Sequence, residues 1–143
     1  MKFWDSSAIV PLLAEEPATS FVVDLYREDP LIIAWWGTGV ECISALARLE
    51  RQGAISPDSL AEALTRLRAL TSGWQEVQPV EALKETAIRL LRVHNLRVAD
   101  SLQLAAAILA SDHRPSSLDF VCLDERLTAA VQREGFNVIA PAR

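Results

Sequence analysis

The chain has 143 residues, half of them apolar and 23% charged, with a formal net charge of −5 and a pI near 5.0. That balance suits one compact domain spanning residues 1–143 and excludes a disordered chain. The negative charge argues against broad, sequence-blind attraction to nucleic acid, but it leaves room for carboxylates gathered around divalent cations. The longest apolar run, LAAAILA at 104–110, is far short of the roughly 18 residues a membrane span needs. The N-terminus carries one lysine and then Asp5, which does not read as a secretory signal, so a cytoplasmic location without membrane attachment is expected. Cys42 and Cys122 have no CxxC spacing, and with only His94 and His113 to help they make a poor zinc site. Each is expected as a buried, reduced thiol.

In chain order, the first expected strand is KFW, which runs straight into Asp5, Ser6 and Ser7. Helical spacing follows over PATSFVVDLYRE, then a strand at LIIAWW and a helix over TGVECISALARLERQ, with Glu41 in its first turn. PDSLAEALTRLRALT reads as a helix, QEVQPV as a strand, and EALKETAIRLLRVH as another helix. Asp100 opens the apolar helix VADSLQLAAAILASD; DFVCL is a strand that ends at Asp124, ERLTAAVQRE a helix, and NVIAP the last strand. Gly53, Gly73 and Gly135 sit where helices should stop. Strands alternating with helices imply a mostly parallel sheet covered on both faces, an α/β sandwich.

In such sheets the working crevice lies beyond the carboxyl ends of the strands. Asp5 and Asp124 both end strands, so neighbouring strands would bring them together there, and Glu41 and Asp100 lie at helix starts. Each acid also has a purely structural reading. Thr38 to Glu41 matches a capping box, Asp100 with Gln103 matches another, and Asp5 and Asp124 are suited to cap the helices that follow them. Four caps, however, have no reason to face one another. Two carboxylates 4 Å apart repel by roughly 4 kcal/mol at an effective dielectric of 20, a cost that a divalent ion between them removes. With only oxygen ligands on offer, Mg²⁺ or Mn²⁺ fits best.

Other chemistries fail on the residues. WGTG at 36–39 has neither a third glycine nor a following GKS or GKT, and Ser6 and Ser7 lack a histidine partner and a GxSxG elbow. Trp35 and Trp36 are expected in the core or at a subunit interface, with base stacking as the alternative. Arg48, Arg51, Arg66, Arg68, Arg89, Arg92 and Arg97 crowd the middle of the chain; their plain reading is a set of solvated helix faces.

FWDSSAIVPLL resembles the opening of PIN-domain ribonucleases. VECISALARL resembles their glutamate-bearing helix, LRVADSLQLAAAILA their central aspartate helix, and FVCLDERL their last acidic strand end. In size and single-domain form the chain is similar to the VapC-type toxins of toxin–antitoxin pairs. The resemblance implies a PIN-like α/β fold and metal-dependent hydrolysis of RNA. It carries an acidic quartet onto Asp5, Glu41, Asp100 and Asp124, and a hydroxyl beside the first acid onto Ser6. Asp5 and Asp100 are then the first choice as direct Mg²⁺ or Mn²⁺ ligands, while Glu41 and Asp124 complete the metal shell or orient the water. An antitoxin partner and a homodimer are also implied.

Where the family usually has threonine or serine two residues before the last acid, this chain has Cys122, a weaker hydrogen-bonding group. That makes Asp119 a reserve candidate for the fourth acid. Three rivals stand beside the nuclease. A phosphoacceptor receiver domain needs a late lysine, and the only lysines are Lys2 and Lys84. The others are a metal-dependent phosphatase of small molecules and a catalytically silent PIN-like binding module.

Overall fold

The computed structural model describes residues 1–142. Its elements run β1 (Lys2–Trp4), α1 (Ser6–Leu13), α2 (Thr19–Glu28), β2 (Ile32–Trp35), α3 (Thr38–Arg51), α4 (Pro57–Gly73), β3 (Gln75–Val77), α5 (Glu81–Val93), α6 (Val98–Ala110), β4 (Asp119–Val121), α7 (Glu125–Arg133) and β5 (Asn137–Ile139). The strands form one sheet in the order β3-β2-β1-β4-β5, and every pairing is parallel. Parallel neighbours require crossover connections, so helices must cover both faces.

Side chains along a strand alternate between faces, and the sequence meets this with apolar residues on both. Phe3, Ile33, Trp35 and Phe120 pack with α5, α6 and α7 through Leu83, Leu90, Leu104 and Leu127. Trp4, Ile32, Ala34 and Val121 face the other way, against Ile9, Val22, Leu46 and Leu67 of α1 to α4. The strands are shorter than their apolar runs, because pairing ends after three or four residues and the chain then turns into the next helix.

Helical spacing does not single out α1, whose run SSAIVPLL is apolar nearly throughout and buries Ala8, Ile9, Val10, Pro11 and Leu13. Pro11 lies inside it and cannot donate a backbone hydrogen bond. Near the end of the helix, the Thr19 hydroxyl donates to the Pro11 carbonyl at 2.8 Å. At the start of α4, Ser56 accepts the Ser59 N–H at 3.1 Å with Pro57 at the first helical position. Gly53 and Gly135 take φ of +75° and +102° just beyond α3 and α7, the left-handed conformation that stops a helix.

β2 and β3 extend the sheet on one side of β1, and β4 and β5 on the other. The chain therefore reverses its direction of winding between β1 and β4. Open parallel sheets hold their working crevice outside the carboxyl ends of the strands at that reversal.

Candidate active site

Asp5 leaves β1 at the reversal. Its N–H donates to the Val121 carbonyl at 3.0 Å, in line with the Trp4–Val121 register. The side chain is only 3% exposed. Its Oδ2 accepts the Ser7 hydroxyl at 2.5 Å and the Ser7 N–H at 3.2 Å, so Asp5 caps α1 while its carboxyl faces the crevice. Burial pushes that carboxyl up to about 6; the Ser7 bonds oppose the shift and the Asp100 charge adds to it.

Glu41 reaches the same place from the first turn of α3. The Ser6 hydroxyl donates to Oε1 at 3.0 Å and the Gln103 amide to Oε2 at 3.1 Å. Burial, with the charges of Asp5 and Asp100, pushes it up to about 7 despite those donors. Asp100, in the first turn of α6, is raised by burial and by Asp124, against the Arg97 backbone N–H and the charges of Arg97 and Arg126. Asp124 caps α7, with Oδ1 accepting the N–H groups of Arg126 at 2.9 Å and Leu127 at 3.4 Å. Repulsion thus links Asp5 to Asp100, Glu41 to both, and Asp100 to Asp124. All four acids line one cleft of about 430 Å³, together with Ser6, Ser7, Arg48 and Arg97.

Two local expectations are corrected. Neither capping box forms: Gly37 and Arg97 hold the cap positions, with no side-chain cap bond. Thr38 and Gln103 are instead buried and joined, the Gln103 amide donating to Thr38 Oγ1 at 3.0 Å as well as to Glu41. Asp119, the reserve acid, begins β4, at the opposite end of the strand from the cleft, and accepts Asn137 Nδ2 at 3.0 Å. Ser6 lines the cleft but bonds Glu41; the hydroxyl on the first acid belongs to Ser7.

Cys122 is a buried free thiol, as is Cys42. Its Sγ lies 3.4 Å from the Asp124 carbonyl and 3.8 Å from Asp5 Oδ2. Burial and the Asp5 charge push it up to about 12, so it stays protonated and offers a weak donor between the two acids. Trp35 and Trp74 are buried, whereas Trp36 is 52% exposed.

The donors around the cleft are all oxygens, which suits a hard divalent cation and not a zinc site. As the side chains stand, no group of three or more His, Cys, Asp or Glu among the described residues is placed to hold a metal ion. The carboxylates are instead held by their own donors, and mutual repulsion opposes closer approach. Holding an ion would require them to draw together, and neutralising that repulsion is what an ion would supply. The chemistry of the donor set fits Mg²⁺ or Mn²⁺.

No protein-family model matches the chain. Ribonuclease VapC45 of Mycobacterium tuberculosis is 30% identical over 144 residues, an alignment covering 99% of this chain and 95% of that protein. Among solved structures, VapC20 of M. tuberculosis, described as a sarcin-ricin loop cleaving toxin, matches with a TM-score of 0.70 at 17% identity, covering 99% of this chain and 100% of that one. A toxin–antitoxin complex from Klebsiella pneumoniae matches with a TM-score of 0.67 at 14% identity, over 99% of this chain and 98% of its own. The structures establish the fold, and the near-full-length relationship to VapC45 establishes the family: the chain belongs to the VapC ribonucleases.

Proposed function

We propose that this VapC ribonuclease cuts RNA phosphodiester bonds with Mg²⁺ or Mn²⁺ held by Asp5, Asp100 and Asp124, with Glu41 completing the catalytic set. The observation that carries the reading is the convergence of four mutually repelling carboxylates in one cleft at the β1/β4 reversal. A divalent ion bound there makes water a stronger nucleophile near neutral pH and neutralises charge on the phosphate. Asp5 gives the site its fixed point, because the sheet and Ser7 hold it. Glu41, gripped at both oxygens beside the aspartates, is suited to orient the attacking water. Ser6 acts by holding Glu41 beside the substrate.

An antitoxin that covers the cleft would restrain the activity, a reading supported by the toxin–antitoxin complex among the structural neighbours. Exposed apolar residues such as Trp36, Val40, Ile88 and Val98 support pairing of two chains. No helix among the described residues is long and apolar enough to cross a membrane.

The test is cleavage of structured RNAs by purified protein with Mg²⁺ or Mn²⁺, beside EDTA and Asp100→Asn controls and with nucleoside monophosphates as rival substrates. RNA cleavage that needs both the metal and Asp100 is expected. Release of phosphate from the monophosphates with RNA left intact would replace the reading with a small-molecule phosphatase.

A further inference from the structure

The cleft holds two arginines that the chemistry above leaves unused. Glu41, Ser44, Ala45 and Arg48 all line it from α3, the i, i+3, i+4, i+7 spacing of one helix face. Arg48 therefore stands two turns, about 10 Å, along the axis from Glu41. Arg97 reaches the cleft from the start of α6, three residues before Asp100, whose carboxyl its charge helps to lower. Both residues are exposed. Among the described residues, no hydrogen bond or ion pair holds the Arg48 side chain. Arg66 and Arg89, by contrast, are tied to Leu13 and Glu62 and to Glu134.

A protein of net charge −5 repels a polyanion at long range, and four carboxylates in the binding cleft sharpen the problem. An ion among the acids neutralises charge only at the phosphate being cut. Local cations must hold the rest of the backbone, and a guanidinium presents forked donors that match phosphate oxygens. We propose that Arg48 and Arg97 form a phosphate-gripping pair that seats the RNA backbone beside the acidic cluster, with Arg48 on an adjoining phosphate and Arg97 close to the scissile one. The proposal rests on the ribonuclease reading and names the residues that hold its substrate.

The experiment separates binding from cleavage. Arg48→Ala and Arg97→Ala are each made in an Asp100→Asn protein, and binding of a short fluorescein-labelled single-stranded RNA is followed by anisotropy between about 50 and 200 mM salt in constant Mg²⁺. Arg92→Ala, on α5 beside a different hollow, removes the same charge elsewhere. Each cleft substitution is expected to weaken binding about tenfold and to make the slope of log K against log salt shallower by about 0.7, while Arg92→Ala leaves both unchanged. In the otherwise unaltered chain, each cleft substitution should raise KM more than it lowers kcat. If the cleft variants bind with the affinity and slope of Arg92→Ala while the unaltered chain cleaves RNA, the gripping pair is refuted and the nuclease stands. If the unaltered chain neither binds nor cleaves RNA, both readings fall.

Discussion

Replacing Asp5 with asparagine should make the metal-free protein more stable at alkaline pH while abolishing its activity. The Asp5 carboxyl rises from its usual 3.8 to about 6 because burial disfavours its charged form. A raised acid binds its proton more tightly in the folded state than in the unfolded one. The associated stability is therefore complete below pH 3.8 and is lost as pH rises through about 6. A change of that size corresponds to about 3 kcal/mol. Glu41 pushes stability in the same direction, but it is only half-buried and solvent screens its charge, so its contribution is the smaller one.

Asparagine keeps an oxygen to accept the Ser7 donors and has no charge to bury. In EDTA, urea unfolding followed by the fluorescence of the buried Trp4, Trp35 and Trp74 should show the parent losing stability between pH 5 and pH 8. Asp5→Asn should follow a flatter course and exceed the parent by about 2–3 kcal/mol at pH 8. Asp29, lowered to about 2 by the N-terminal amine and Lys2, is already ionised throughout this window and does not mask the effect. Comparing variant with parent cancels the titrating groups remote from Asp5, and the relief of Glu41 once the Asp5 charge is gone adds to the difference in the same direction. A parent that is as stable at pH 8 as at pH 5, or a variant that falls as steeply, would refute the account of Asp5 as a buried charge.

The same electrostatics predicts that millimolar Mn²⁺ raises the melting temperature of EDTA-stripped protein more at pH 8 than at pH 5, where protons compete for the acids. The rise should vanish in an Asp5→Asn/Asp100→Asn double variant; an undiminished rise there would place the ion elsewhere. Gly37→Ala would set a methyl group 2.6 Å from Trp35 Nε1, so a loss of about 1–3 kcal/mol is expected in urea unfolding. Gly39→Ala, inside α3 with nothing within 4 Å of the added carbon, should be neutral or gain up to about 1 kcal/mol. Gln103→Leu removes a donor from Glu41, and kcat for RNA cleavage should fall about 10- to 100-fold. An unchanged kcat would show that Ser6 alone suffices to hold Glu41.

The layering was legible because the central strands β1, β2 and β4 bear apolar residues on both faces, and the meeting of Asp5 and Asp124 in one cleft followed once KFW and DFVCL were placed side by side. What escaped the sequence is mostly the long-range partner. Asp100 and Gln103 have the spacing of a capping box, a purely local pattern, yet Gln103 bonds Glu41 62 residues away. A buried amide turned toward another helix leaves no periodic trace. Choosing between Ser6 and Ser7 required the first turn of α1, which sends neighbouring hydroxyls in different directions, one to Glu41 and one to Asp5. Asp119 and Asp124 differ in which end of a short strand they occupy, and parallel pairing to β1 decides it. Arg48 was within reach, since its seven-residue spacing from Glu41 already puts both on one helical face.

The strand order also has a bearing on how the protein is made. β1 leaves the ribosome first, but its partner β4 arrives only after β2, β3 and the helices α1 to α6, and the Cys122–Asp5 contact spans 117 residues of sequence. Until β4 is made, Asp5 sits on an unfinished sheet, without Asp124 or the strand that aligns it. With the four acids as the metal site proposed above, the order of synthesis would hold back the RNA-cutting centre, beside the message and ribosome that are producing it, until the second half of its sheet closes.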